Sequence, residues 1–170
     1  NEAQGGSNEH RNARIEDYLP AIKEVTGRGG WVVRLGDVSM LPLPEDIPGV
    51  IDYALSTEKS EEMDMFLLAT CRFIIGTTTG LTTAAQCFGT PMVLVNCLSG
   101  DWQLWTGNID FITKLIYDTR QRRHLSYREV YTESFQKLLI DNQLMQRKGF
   151  IAKANSPEDI LQAVYYKLDV

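Results

Sequence analysis

Short, continuous apolar runs alternate along this chain with stretches whose apolar residues recur at every third or fourth position. Ile15, Tyr18, Leu19, Ile22 and Val25 follow the helical period, and Gly27–Gly30 ("GRGG") ends that helix. Trp31–Leu35 ("WVVRL") then reads as a strand, Gly36–Gly49 as a proline-punctuated loop, and Val50–Ala54 as a second, weaker strand. A helix follows Ser60 as N-cap, with Met63, Phe66, Leu67 and Ala69 on its expected buried side. Arg72–Ile75 is a third strand, Leu81–Gly89 a short helix stopped by Gly89 and Pro91, and Met92–Asn96 a fourth strand. Thr113–Asp118 is a candidate fifth strand. Two helices close the chain: Ser126–Leu139, with Ser126 and Glu129 as a capping box, and Ser156–Leu168, with Ser156, Pro157 and Asp159 in the same roles.

Strands alternating with helices predict one α/β domain over residues 1–170, a Rossmann-like parallel sheet covered by helices on both faces. Such sheets bind ligands beyond the carboxyl ends of their strands.

Composition narrows the function classes. A net charge of −5 without a basic block argues against a nucleic-acid surface. No apolar run approaches the ~18 residues that a membrane span needs. Cys71, Cys87 and Cys97 have no zinc-type spacing and read as reduced, mostly buried thiols of a cytoplasmic protein, one that could work at the inner face of the membrane. His10 and His124 sit in polar surroundings without metal-ligand spacing, and no Asp-x-Asp pair occurs, so neither a metal nor another cofactor is expected. The opening "NEAQGGSNEH" has no methionine and reads as an excerpt of a longer polypeptide.

The stretch "GTTTGLTTAAQCFGTP" (Gly76–Pro91) stands out between two apolar runs. A helix N-terminus after a strand offers unpaired N–H groups and a partial positive charge, chemistry that suits an anion such as a diphosphate. Gly76 and Gly80 would permit close backbone approach, Leu81 would add an amide, and Thr77, Thr78, Thr79, Thr82 and Thr83 would add hydroxyls. Leu81 stands where a P-loop needs lysine, and no GxGxxG occurs. A plain strand-to-helix turn with a threonine cap explains the same residues equally well.

Arg34, with Gly36 and Asp37 opening the next loop, could clamp a phosphate; the competing reading is a structural ion pair to Asp37 or Asp52. Trp102 and Trp105 could stack on a sugar or base, but aromatics in such loops more often lock the loop to the core. No Gly-x-Ser-x-Gly elbow marks a hydrolase.

The series "RNARIEDYLPAI…WVVRLGD…VIDYALSTEKSEEMDMFLLATCRFIIGTTTGLTTAAQCFGTPMVLVN…KLIYDTRQRRHLSYREVY…NSPEDILQAV" resembles a bacterial family of glycosyltransferases associated with surface-polysaccharide gene clusters. The resemblance runs from Arg11 to about Val164 and is strongest over Trp31–Asn96. It implies the C-terminal, donor-binding half of a GT-B glycosyltransferase, with a nucleotide sugar bound through its diphosphate and no metal. The implied donor site comprises Arg34, Gly36, Asp37, Gly76, Thr77, Thr78, Thr79, Gly80, Leu81, Thr82 and Lys114. Acceptor binding and the catalytic base would come from another domain, with a glycan or related molecule as acceptor. The family leads into its "RN" segment with a strand, so a sheet position left unfilled or taken by a partner is also expected. Two rival functions keep the fold: a nucleotide-sugar epimerase or hydrolase of GT-B shape, and a non-catalytic interaction module.

Overall fold

The computed structural model describes residues 13–98 and 107–169. His10, Trp102 and Trp105 lie outside the described residues, so their expected roles are not addressed by the fold.

The molecule is a mixed α/β structure with parallel sheets and helices. Strand β1 (Val32–Val33) pairs in parallel with β2 (Val50–Ile51), and β3 (Ile74–Gly76), β4 (Met92–Cys97) and β5 (Ile109–Thr113) form a second parallel sheet in that order. A third, antiparallel sheet holds β6 (Leu115–Asp118) between β7 (Arg123–His124) and β8 (Phe150–Lys153). The helices are α1 (Leu19–Gly27), α2 (Glu61–Thr70), α3 (Gly80–Phe88), α4 (Tyr127–Val130), α5 (Glu133–Leu139), α6 (Asn142–Arg147) and α7 (Pro157–Leu168).

Burial explains the continuous apolar run of β4. All six of its residues are buried because helices cover both its faces. Val93 and Val95 meet Ile22 and Val25 of α1 and Ile160 and Val164 of α7. Met92, Leu94 and Cys97 meet Leu68 of α2 and Ala85 of α3. Each such aliphatic side chain contributes roughly 1.5–3 kcal/mol when fully buried. A third core under the antiparallel sheet joins Ile116, Val130, Leu138, Leu139 and Met145, with the rings of Phe135 and Phe150 meeting edge to face at 5.0 Å.

Several elements differ from the sequence reading. Arg72–Ile75 and Met92–Val95 do supply neighbouring strands, but the Trp31–Leu35 segment pairs only with β2 among the described residues. The fifth parallel strand is Ile109–Thr113; Thr113–Asp118 is not one strand, because the chain leaves β4 after Lys114 and Leu115–Asp118 joins the antiparallel sheet. The Ser126–Leu139 helix breaks after Val130, where Thr132 adopts extended backbone and its hydroxyl bonds the Glu129 carbonyl. On α2 the core contact is Leu68, while Met63, Met65 and Phe66 are exposed. That face is chosen by the α2–α3 packing, which apolar spacing alone left ambiguous. Of the three thiols only Cys97 is buried; Cys71 is half-buried and Cys87 exposed.

Candidate functional site

The Gly76–Thr82 turn lies at the carboxyl end of β3, where the chain enters α3. Its threonines divide into two groups. Thr79 is the N-cap of α3, and its hydroxyl accepts the Thr82 N–H at 3.4 Å while the Thr82 hydroxyl accepts the Thr79 N–H at 2.9 Å. The buried Thr82 hydroxyl is further committed to the carbonyls of Thr77 (3.1 Å) and Thr79 (3.0 Å), and the Thr83 hydroxyl also bonds the Thr79 carbonyl at 3.0 Å. These three side chains therefore build the turn. Thr77 and Thr78 are only half-buried, and their hydroxyls have no hydrogen-bond partner among the described residues. Nor do the N–H groups of Gly80 and Leu81, two of the first amides of α3.

Among the described residues nothing in the packing calls for glycine at position 80. A Cβ there would meet nothing within 4 Å, and Gly80 does not adopt the left-handed backbone seen at Gly89, where φ is 71°. Gly76 is similar: a Cβ would make only an ordinary contact with the Thr82 methyl at 3.6 Å. At both positions a Cβ would find room among the described residues.

Arg34 is placed otherwise. Its Nη1 donates to both Asp52 oxygens (3.1 and 2.9 Å) and its Nη2 to the Leu41 carbonyl at 2.9 Å. With its side chain 9% exposed, it ties β1, β2 and the intervening loop together, the ion-pair alternative left open by the sequence. At Gly36 a Cβ would meet only the Met40 sulfur, at the end of a flexible, exposed side chain that can move aside. Asp37 is exposed, and its carboxylate accepts the Ser39 N–H at 2.8 Å; the Ser39 hydrogen bonds hold its pKa below the ordinary value.

Lys114 is 7% exposed and follows β5, two strand positions from β3. At a strand spacing near 4.8 Å this separates it laterally from the Gly–Thr turn by roughly 10 Å. It shares the carboxyl edge with that turn because β3, β4 and β5 run in parallel. Lys114 also lines a cavity of about 230 Å³ with Thr113, Ile116, Leu125, Tyr127 and Val130.

The carboxyl end of β4 carries a group that sequence reasoning missed. Asn96 adopts φ 57° and bonds reciprocally with Asn155, just before α7. An asparagine closing an apolar run is the signal that could have exposed it, because asparagine tolerates left-handed backbone. Tyr18 packs beside it, and burial pushes its phenol up to about 12, an effect partly offset by Asn96. Among the described residues no group of three or more histidine, cysteine or acidic side chains could hold a metal. No helix among them is long and apolar enough to cross a membrane.

Comparison with protein-family models, curated proteins and solved structures finds no match for this chain.

Proposed function

We propose that this chain is the nucleotide-sugar-binding domain of a GT-B-type glycosyltransferase, acting on a surface glycan or related acceptor. The reading rests on one observation: Gly80 and Leu81 present unclaimed amides at the mouth of α3, beside the unclaimed hydroxyls of Thr77 and Thr78, where neither packing nor φ calls for Gly80. A donor diphosphate accepts from those groups, and the same donors stabilise charge that builds on the nucleoside diphosphate as the sugar leaves. Thr79 and Thr82 act one step back, holding the turn in shape through the capping box. Lys114 would add positive charge at the same edge of the sheet without touching the turn. Arg34 and Asp37 organise the β1–β2 loop. The acceptor and the catalytic base belong to a second domain.

The experiment is a thermal-shift screen of UDP-, GDP-, CMP- and ADP-sugars, repeated on Thr77→Val and Thr78→Val. Stabilisation by one nucleotide class that falls in both variants supports the reading. Equal, negligible shifts for every donor would leave the Thr79–Thr82 capping box as the whole purpose of the turn, and would favour an interaction module.

A further inference from the structure

Charge is divided unevenly along this chain. Residues 115–153, which form β6 to β8 and α4 to α6, hold eight lysine and arginine side chains and four acids, whereas the rest holds nine and eighteen. An acidic protein thus carries one basic lobe, an asymmetry that points to an anionic partner. No long run of the sequence is basic, and the fold assembles the charge from two turns.

The assembly lies where the β6–β7 turn meets the turn between α6 and β8. The Thr119 N–H and hydroxyl both donate to the Gly149 carbonyl at 2.8 Å, and Arg120 Nη2 donates to the Arg147 carbonyl at 3.2 Å. These bonds set Arg120 and Arg122 beside Arg147 and Lys148, all four exposed. The side chains of Arg122, Arg147 and Lys148 have no hydrogen-bond or ion-pair partner among the described residues. The nearby acids are committed elsewhere. Asp118 is buried and accepts the Arg120 and Gln121 N–H groups at 2.8 and 2.9 Å, Glu129 pairs with Arg123 at 2.6 Å, and Asp141 caps the far end of α6. On their own, Arg147 and Lys148 would only complement the carboxyl end of α6. Arg122 adds a different observation: its φ is 54°, left-handed backbone that glycine or asparagine adopts at less cost. An arginine held in that conformation, without a partner in the described fold, points to a use outside it.

We propose that these two turns dock on the phosphate headgroups of an anionic lipid bilayer. Clustered lysine and arginine side chains are drawn to such a surface, each adding to the attraction within a Debye length. Exposed apolar side chains beside the cations favour a bilayer over a nucleic acid. Leu144, one helical turn before Lys148, is 41% exposed, and Ile140, just ahead of α6, is 70% exposed. Side chains of this kind enter the boundary between headgroups and acyl chains. Residues 119–122 and 147–149 include no aromatic ring to stack on a base. The excess of acids elsewhere is repelled by the same surface, so this end of the antiparallel lobe faces the bilayer. The inference does not depend on any nucleotide sugar.

The test is co-sedimentation of the chain with vesicles of phosphatidylcholine alone and of phosphatidylcholine mixed equally with phosphatidylglycerol. Binding to the anionic vesicles should be at least tenfold tighter and should fall as salt is raised. Arg122→Glu combined with Lys148→Glu should abolish it. Arg14→Glu combined with Lys23→Glu makes an equal change of net charge on exposed residues outside the lobe, and should weaken binding less than about threefold. Arg122→Gly relieves the left-handed backbone, so it should hold or raise the unfolding midpoint while weakening vesicle binding. Equal binding to neutral and anionic vesicles, or binding to neither, would overturn the proposal. Equal binding by the two double variants would overturn it too, reducing the effect to net charge. So would a higher affinity for double-stranded DNA than for anionic vesicles.

Discussion

Asn96 and Asn155 hold each other by their backbones: Asn155 Oδ1 accepts the Asn96 N–H at 2.6 Å, and Asn96 Oδ1 accepts the Asn155 N–H at 2.8 Å. Asn155 Nδ2 also donates to the Thr113 carbonyl at 3.0 Å, so one buried side chain joins the ends of β4 and β5 to the start of α7. Asn155→Ala leaves the Asn96 N–H and the Thr113 carbonyl without these partners, each loss costing about 1–3 kcal/mol. Chemical denaturation should show a destabilisation of about 2 kcal/mol or more. A change below 0.5 kcal/mol, roughly the scatter of surface substitutions, would mean the reciprocal pair does not hold the carboxyl edge together.

The two groups of threonines should separate experimentally. Thr82→Val removes the hydroxyl that closes the capping box and should destabilise by about 1–2 kcal/mol. Thr77→Val and Thr78→Val should leave the unfolding midpoint nearly unchanged, yet weaken donor binding about tenfold, the equivalent of one charge-assisted hydrogen bond. Calorimetric titration with the nucleotide sugar chosen by the thermal-shift screen measures the second effect.

Gly80→Val offers the sharpest contrast between fold and function. A Cβ at Gly80 meets nothing within 4 Å, so the variant should fold with stability changed by less than about 1 kcal/mol. Its donor affinity should fall tenfold or more as the branched side chain covers the α3 amides. Thr132, whose hydroxyl bonds Glu129 on a different helix, serves as the control, and Thr132→Val should leave affinity unaltered. Wild-type affinity in a folded Gly80→Val protein would reduce the turn to a helix cap.

Arg34 and Asp52 should behave as a structural pair. Arg34→Lys cannot reproduce contacts to both Asp52 oxygens and the Leu41 carbonyl, so thermal stability should fall by about 1–3 kcal/mol. Asp52→Asn should lower stability similarly. Donor affinity of the folded variants should stay within about twofold of wild type, less than 0.5 kcal/mol. A selective loss of affinity without loss of stability would return Arg34 to the phosphate site.

Acid should loosen α4 through Glu129. The Arg123 guanidinium, followed by the Ser126 N–H and hydroxyl, holds this carboxyl at about 2 against an ordinary 4.5. A depressed carboxylate pKa stabilises the folded state above the unfolded value, and that contribution is lost as pH falls from about 4.5 towards about 2. Thermal unfolding of wild type and Glu129→Gln should therefore differ most near neutrality and converge across that window. Parallel curves throughout would show that the Arg123–Glu129 pair does not contribute.

Alternation of period and capping chemistry were legible in the chain itself. Ser60, Ser126 and Ser156 cap the helices they introduce, and the apolar continuity of Met92–Val95 marks a strand covered on both faces. These are local facts, set by hydrogen bonds within four residues and by the spacing of side chains. The Gly–Thr turn was visible for the same reason. Tertiary structure alone decided which threonines are consumed by the turn and which stay available, because Thr78 and Thr82 are chemically alike until α3 forms. It also decided that Arg34 meets Asp52, that α2 turns Leu68 inward rather than Phe66, and that Leu115–Asp118 leaves the parallel sheet. Each depends on contacts between segments distant in sequence, where many pairings satisfy the same local pattern and only simultaneous burial and hydrogen bonding select one.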